Sequence, residues 1–162
     1  MASLLKPDIK KWLNKSVESE LYASNLYKHI ANQLQRLGFF GSQKYFLNES
    51  MEELTHYQKL VDYTNDMGDV IEIPQIPKIT ESIKSIKDAL KVAYDFELSL
   101  MEDYQKFYEE SEDKFSDCIT ATFIIELLQV QRKSVGDYGD LLARYERNPT
   151  DVFEFDEYLG EK

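Results

Sequence analysis

Glu53 and His56 stand three apart in the segment EELTH. If that segment is helical, both side chains leave one face, separated by about 4.5 Å along the axis. Glu20 and Glu97 lie on similar inward-facing stripes elsewhere in the chain, and Gln131 lies on a fourth. Three carboxylates and one imidazole converging inside a protein is an unusual set, because each buried charge loses hydration with nothing to replace it. Two divalent cations would remove that penalty, and hard carboxylate oxygens with one imidazole suit iron, manganese or zinc without choosing among them. Tyr27, two turns beyond Glu20 on the same face, fits either ordinary core packing or a hydroxyl bonded to the site. His29 sits beside Lys28, off the inner stripe, and reads as a surface histidine, while Trp12 reads as packing.

The elements that must position these groups are helices. The 162 residues contain only 4 Pro and 6 Gly, too few breakers for an all-β chain, and 43% apolar residues suffice for one core. The pattern Leu13, Ser16, Glu20, Tyr27, Leu34 predicts a first helix over about 8–37. Gly38 and Gly41 break it, Ser42 is placed to cap the next start, and Phe46, Leu47, Glu53, His56, Leu60 and Tyr63 mark a second helix over about 42–68. Residues 69–84 carry Pro74 and Pro77 with no helical period, a connection too long to join antiparallel neighbours. Ser85 with Asp88 resembles a capping box, opening a third helix over about 85–110 with Ile86, Leu90, Ala93, Glu97, Leu100 and Tyr104 inward. A fourth is expected over about 113–146, with Ile124, Leu128, Gln131, Val135, Tyr138 and Leu142 inward, and a short fifth over 150–159. The class is all-α: a single domain, 1–162, built as a four-helix bundle with one long crossover and a C-terminal stub.

The segments ELYASNLY at 20–27 and KYFLNESMEELTH at 44–56, with Glu97 and Gln131, resemble the ferritin family, particularly its catalytically active H-type subunits. The spacings of 33 from Glu20 to Glu53, 44 to Glu97 and 34 to Gln131 carry that likeness over all four long helices, and SVGDYGDLL at 134–142 extends it. The resemblance implies a ferritin-like fold and an intrasubunit di-iron ferroxidase centre. Glu20, Glu53 and His56 would hold one iron, and Glu53 as a bridge with Glu97 the second. Gln131 and Tyr27 would stand directly behind the ligands, and Glu52 would be an auxiliary or exit ligand. Fe(II), the substrate as well as the metal of the site, would be oxidised by dioxygen and stored as ferric oxyhydroxide inside a cage of twenty-four subunits, its four-fold axes lined by Thr150 to Leu159.

The resemblance also has departures. The chain has one Glu-x-x-His, not the two of haem bacterioferritins and rubrerythrins, and Glu126-Leu-Leu-Gln129 lies on the polar side of its helix. One iron therefore has fewer protein ligands, which suits a site that oxidises iron and passes it on. Leu54 stands where a haem-binding Met would fall, so no haem is expected. Ala121 and Ile124 replace acidic groups of the three-fold channels, and Thr55 and Gln58 replace carboxylates that resemble nucleation ligands. Val130, Lys133 and Ser134 replace carboxylates of a third iron site.

A net charge of −11, with no cluster of Lys and Arg to neutralise phosphates, argues against nucleic-acid binding and favours cationic partners. The N-terminal MASLLKPDIKKW lacks the apolar core of a secretory signal, and no apolar run is long enough to span a bilayer, so neither a membrane nor export is expected. Cys118, the sole cysteine, fits a reducing compartment and is expected as a small buried hydrophobe; the expected location is cytoplasmic. Two other readings compete: a dinuclear metal oxidase or peroxidase without mineral storage, and a metal-free helical interaction module whose inward polar groups only fix helix register.

Overall fold

The computed structural model describes residues 2–162 and contains helices and connections, with no strand among the described residues. The long helices are α1 (Pro7–Arg36), α2 (Phe40–Asp66), α3 (Ile86–Glu109) and α4 (Cys118–Arg147), followed by the short α5 (Val152–Gly160). Pro7 opens α1, where a missing N–H costs nothing, and Gly38 leaves it in the left-handed region at φ 86°. Ser85 caps α3 by accepting from Asp88 N at 3.0 Å, and Asp88 accepts in return from Lys84 N. The acidic stretch before α4 does not open that helix. Residues Glu110–Lys114 instead continue α3 as a π-helical turn, and α4 begins only at Cys118, where Asp117 caps it by accepting from Thr120 N. Cys118 is exposed in that first turn, contrary to the buried position expected for it, because it lies before the inward stripe begins.

The crossover runs along α1, and three side-chain anchors fix its direction. Lys10 pairs with Asp69 at 2.8 Å, Asn14 accepts from Glu72 N at 3.1 Å, and Gln33 accepts from Ile83 N at 2.8 Å. The chain therefore travels from the start of α1 to its end before α3 begins. His29 takes part, its ring 2.7 Å from the Glu81 carbonyl. α3 consequently returns antiparallel to α1, and the pairs α1–α2 and α3–α4 pack together as the two halves of the bundle.

Ser42 does not cap α2; the helix starts earlier, at Phe40, with no cap from its own N-terminal residues. The cap comes from α5. The buried carboxylate of Asp156 accepts from Gly41 N at 3.1 Å, from Ser42 N at 2.7 Å and from Ser42 Oγ at 2.7 Å. The helices approach so closely there that a Cβ on Gly41 would lie 2.0 Å from the Asp156 carbonyl oxygen. One carboxylate thus satisfies two of the orphan N–H groups of α2 and docks α5.

The apolar core is divided. One cluster contains Leu26, Tyr27, Ile30, Leu34, Phe46, Leu90, Tyr138 and Leu141; the other contains Leu13, Val17, Leu60, Leu100, Tyr104, Phe107, Ile124 and Leu127. On α4 the inward face turns slightly from the expected stripe, so that Leu127 and Leu141 are buried while Leu128 and Leu142 are only partly so. Between the two clusters every long helix contributes a polar residue.

Replacing Asp156 with Ala should leave the α2 start uncapped and lower stability by about 1–3 kcal/mol. Thermal unfolding, with amide exchange across α5, measures both effects. The Lys10 hydrogen bond, helped by the Ser3 hydroxyl, holds the Asp69 carboxyl down to about 2, from an ordinary 3.8. Its contribution is present above about pH 4 and is lost as the pH falls towards 2. Unfolding of Asp69→Asn should therefore show a shallower acid-side decline than the parent chain.

Candidate metal centre

The polar layer consists of Glu20 from α1, Glu53 and His56 from α2, Glu97 from α3 and Gln131 from α4, all buried. Each occupies a mid-helix position at which the inward stripe switches from one apolar cluster to the other. Glu20, Glu53 and His56 each bring a ligand atom to a common point, the three atoms lying within 4.8 Å of one another. His56 Nδ1 is 3.0 Å from Glu53 Oε2 and 3.6 Å from Glu20 Oε2. The first is a hydrogen bond and the second is not, so Glu20 Oε2 is left with no hydrogen-bond partner. Among the described residues it is the one buried side-chain polar atom without a partner, and it belongs to the three-residue cluster. An orphaned carboxylate oxygen beside an imidazole and a second carboxylate is a donor set that fits a cation.

Glu97 belongs to the same layer but is held differently. Its Oε1 accepts from the Tyr27 hydroxyl, its Oε2 from Gln131 Nε2, and its main-chain carbonyl also faces Gln131 Nε2, at 3.2 Å. Both oxygens therefore already have donors, and Glu97 lies outside the three-residue cluster. Tyr27 thus fills both roles its sequence position left open, its ring packed in the apolar cluster and its hydroxyl donating to Glu97. Glu52 is exposed, away from the buried cluster. With Glu49, Lys59, Lys133 and Asp137 it lines a cavity of ≈ 360 Å³ between α2 and α4, whose inner wall includes His56. Lys133 and Asp137 close to 2.5 Å at its rim.

Tyr104 is a site residue that the sequence placed only in the apolar stripe of its helix. Its hydroxyl donates to Glu20 Oε1. The signal was present in the spacing, since Tyr27 follows Glu20 and Tyr104 follows Glu97 by the same seven residues. Because α1 and α3 run antiparallel, the bonds cross: the tyrosine of each helix serves the carboxylate of the other.

The electrostatics follow from burial. It pushes the Glu53 carboxyl well up despite the His56 hydrogen bond, with repulsion from Glu20 and Glu97 added. Glu97 is likewise raised by burial, against the pull of Tyr27 and Gln131. Burial alone would lower the His56 imidazole, but the nearby Glu20 and Glu53 carboxyls, Glu53 also within hydrogen-bond distance, outweigh it and hold it raised. Burial also keeps the Tyr27 and Tyr104 hydroxyls protonated, as donors. The carboxyls around His56 thus favour its protonated form, and burial favours a protonated Glu53.

An all-α bundle with a crossover and a carboxylate–histidine layer at its middle is the architecture of proteins that bind metal inside a four-helix bundle. The chain belongs to the ferritin family: the sequence pattern of the ferritin-like domain matches residues 10–148. It is 30% identical to the ferritin of Pacifastacus leniusculus over 157 residues, 93% of this chain and 86% of that one. With a probable bacterial non-heme ferritin-like protein of Haemophilus influenzae it shares 31% identity over 94 residues. That match spans 58% of this chain and only 57% of the bacterial protein. The fold superposes on an open pore ferritin from Archaeoglobus fulgidus with a TM-score of 0.94 over 99% of both chains, at 18% identity. Among the described residues no helix is long and apolar enough to cross a membrane.

Glu53→Gln removes one buried carboxylate and keeps an oxygen to accept from His56. In chelator-treated protein this variant should unfold at higher temperature, by an increment on the order of 1 kcal/mol. It should also lose the additional stabilisation that Zn(II) confers on the parent chain, as read by thermal unfolding with and without the ion.

Proposed function

We propose that this chain is an iron-storage ferroxidase, oxidising Fe(II) with dioxygen in its polar layer and depositing Fe(III) as a mineral inside a cage of twenty-four copies. The observation that carries this reading is the buried group Glu20, Glu53 and His56 with its one orphaned oxygen, Glu20 Oε2. Iron is substrate here as well as the metal of the site. Two Fe(II) give one electron each to dioxygen, which with two protons leaves as hydrogen peroxide.

The chain's own residues supply binding and release. Glu20 Oε2, Glu53 and His56 form the first position, and His56 gives up its bound proton as a cation displaces it. Glu97, with Glu53 shared between the positions, serves the second, after Tyr27 or Gln131 yields one of its oxygens. That second position draws on fewer protein ligands than the first, which favours discharge over retention. The cavity lined by Glu49, Glu52 and Asp137 abuts His56 and gives the product an acidic way out, with Glu52 as an auxiliary ligand. Assembly is supported by apolar side chains that a single copy leaves uncovered: Leu47, Met51 and Leu54 make one exposed stripe on α2, and Val70 and Ile73 another patch on the crossover.

Aerobic loading with many Fe(II) per chain, followed by size-exclusion chromatography tracking iron and protein together, tests the proposal. Far more than two irons per chain, co-eluting with a very large particle, is expected. Glu53→Ala and His56→Ala should keep the particle and lose rapid Fe(II) oxidation, by roughly 100-fold or more in initial rate. Rapid oxidation in both variants would sink the catalytic assignment, and iron stopping near two per chain on a small oligomer would sink the storage assignment.

A further inference from the structure

Glu20 and Glu97 occupy equivalent places on antiparallel helices, and each takes a hydrogen bond from the tyrosine of the opposite helix. The equivalence ends there. α4 gives Glu97 a second donor, Gln131, whereas the group that faces the second oxygen of Glu20 is His56, at 3.6 Å. Glu97 thus has no free oxygen and Glu20 has one. What decides between one free oxygen and two on Glu20 is a single hydroxyl, that of Tyr104. Its ring is fully packed in the cluster of Leu13, Val17, Leu100 and Phe107, a setting that would accept phenylalanine equally well. The sole hydrogen bond of the Tyr104 hydroxyl goes to Glu20 Oε1. A buried hydroxyl on an otherwise apolar ring is retained where its partner needs it.

We infer that Tyr104 is the positioning residue of Glu20: by occupying Oε1 from the apolar cluster beneath, it presents Glu20 to the first cation as a one-oxygen ligand aimed through Oε2. This rests on the ferroxidase reading and adds to it a reason for lability. A carboxylate fixed in one-oxygen attachment holds its cation less completely than one free to turn and chelate. The tyrosines then have separate duties, Tyr104 governing the first position through Glu20 and Tyr27 the second through Glu97.

Co(II), which reports its coordination number in its visible absorption, is the probe, titrated into the assembled chain in the parent, Tyr104→Phe, Tyr27→Phe and Tyr63→Phe forms. Tyr63 bonds Thr120 at 2.7 Å, remote from the polar layer, and controls for the loss of a partly buried hydroxyl. In Tyr104→Phe the first equivalent should show bands weakened roughly twofold or more, as Glu20 turns to bind through both oxygens and raises the coordination number. Tyr27→Phe should alter the second equivalent and spare the first, and Tyr63→Phe should alter neither. First-equivalent bands in Tyr104→Phe that superimpose on the parent's, with only a lowered unfolding temperature, would reduce Tyr104 to a packing residue and overturn the inference. Equal changes in both equivalents would overturn it too. If the parent shows no bands that Glu53→Ala abolishes, the ferroxidase reading itself fails, and the inference with it.

Discussion

Everything in this structure answers to the cost of placing three carboxylates and an imidazole at the centre of an apolar bundle. An isolated buried carboxylate is expensive, and three side by side repel one another as well. The chain offsets this with the His56 imidazole beside Glu53, hydroxyl donors from Tyr27 and Tyr104, and the amide of Gln131. The polar layer in turn dictates the core, which is two apolar clusters and not one. Tyr27 belongs to one cluster and Tyr104 to the other, so the layer is held from both sides by rings that pack like phenylalanine and donate like serine.

The connections make this arrangement possible. A short turn after α2 would have brought α3 back beside it with the opposite sense. The crossover, anchored on Lys10, Asn14 and Gln33, reverses that sense and sets α3 antiparallel to α1. Only then can Tyr27 meet Glu97 while Tyr104 meets Glu20. Asp156 has a comparable role at the far end, where it fixes the first turn of α2, the helix that bears Glu53 and His56, and holds α5 against it.

The layer is also unequal across its width, and the inequality bears on function. A symmetric set of ligands would retain two cations as a permanent cofactor. Here α2 provides a carboxylate and an imidazole where α4 provides an amide, and one carboxylate has a free oxygen where the other has none. On the proposed ferroxidase reading, one position would be ready and the other would first have to release a donor, so cations would bind in sequence and leave readily. The cavity beside His56 mixes charges, with Glu49 and Glu52 beside Lys59 and the Lys133–Asp137 pair.

The sequence by itself determined the four long helices and most of the stripe each turns inward, missing the rotation of α4 and the exposure of Leu47, because apolar periodicity is a property of one helix and can be counted along it. That was enough to pick out Glu20, Glu53, His56, Glu97 and Gln131, each a polar residue interrupting such a stripe. It also located the long crossover, since two prolines without helical period have few other readings. What it could not supply were partners between helices. Tyr104 looked like one more apolar position until the direction of α3 placed its hydroxyl on Glu20. Asp156 looked like surface charge until α5 folded onto the start of α2. Cys118, read as a buried hydrophobe, stands exposed because it lies in the first turn of α4, before the inward stripe begins. Glu52 adjoins Glu53 in sequence yet is exposed while Glu53 is buried, because successive residues leave a helix in different directions. Spacing along a chain fixes which face a side chain leaves from; only tertiary structure, through helix direction and rotation, decides what that face meets.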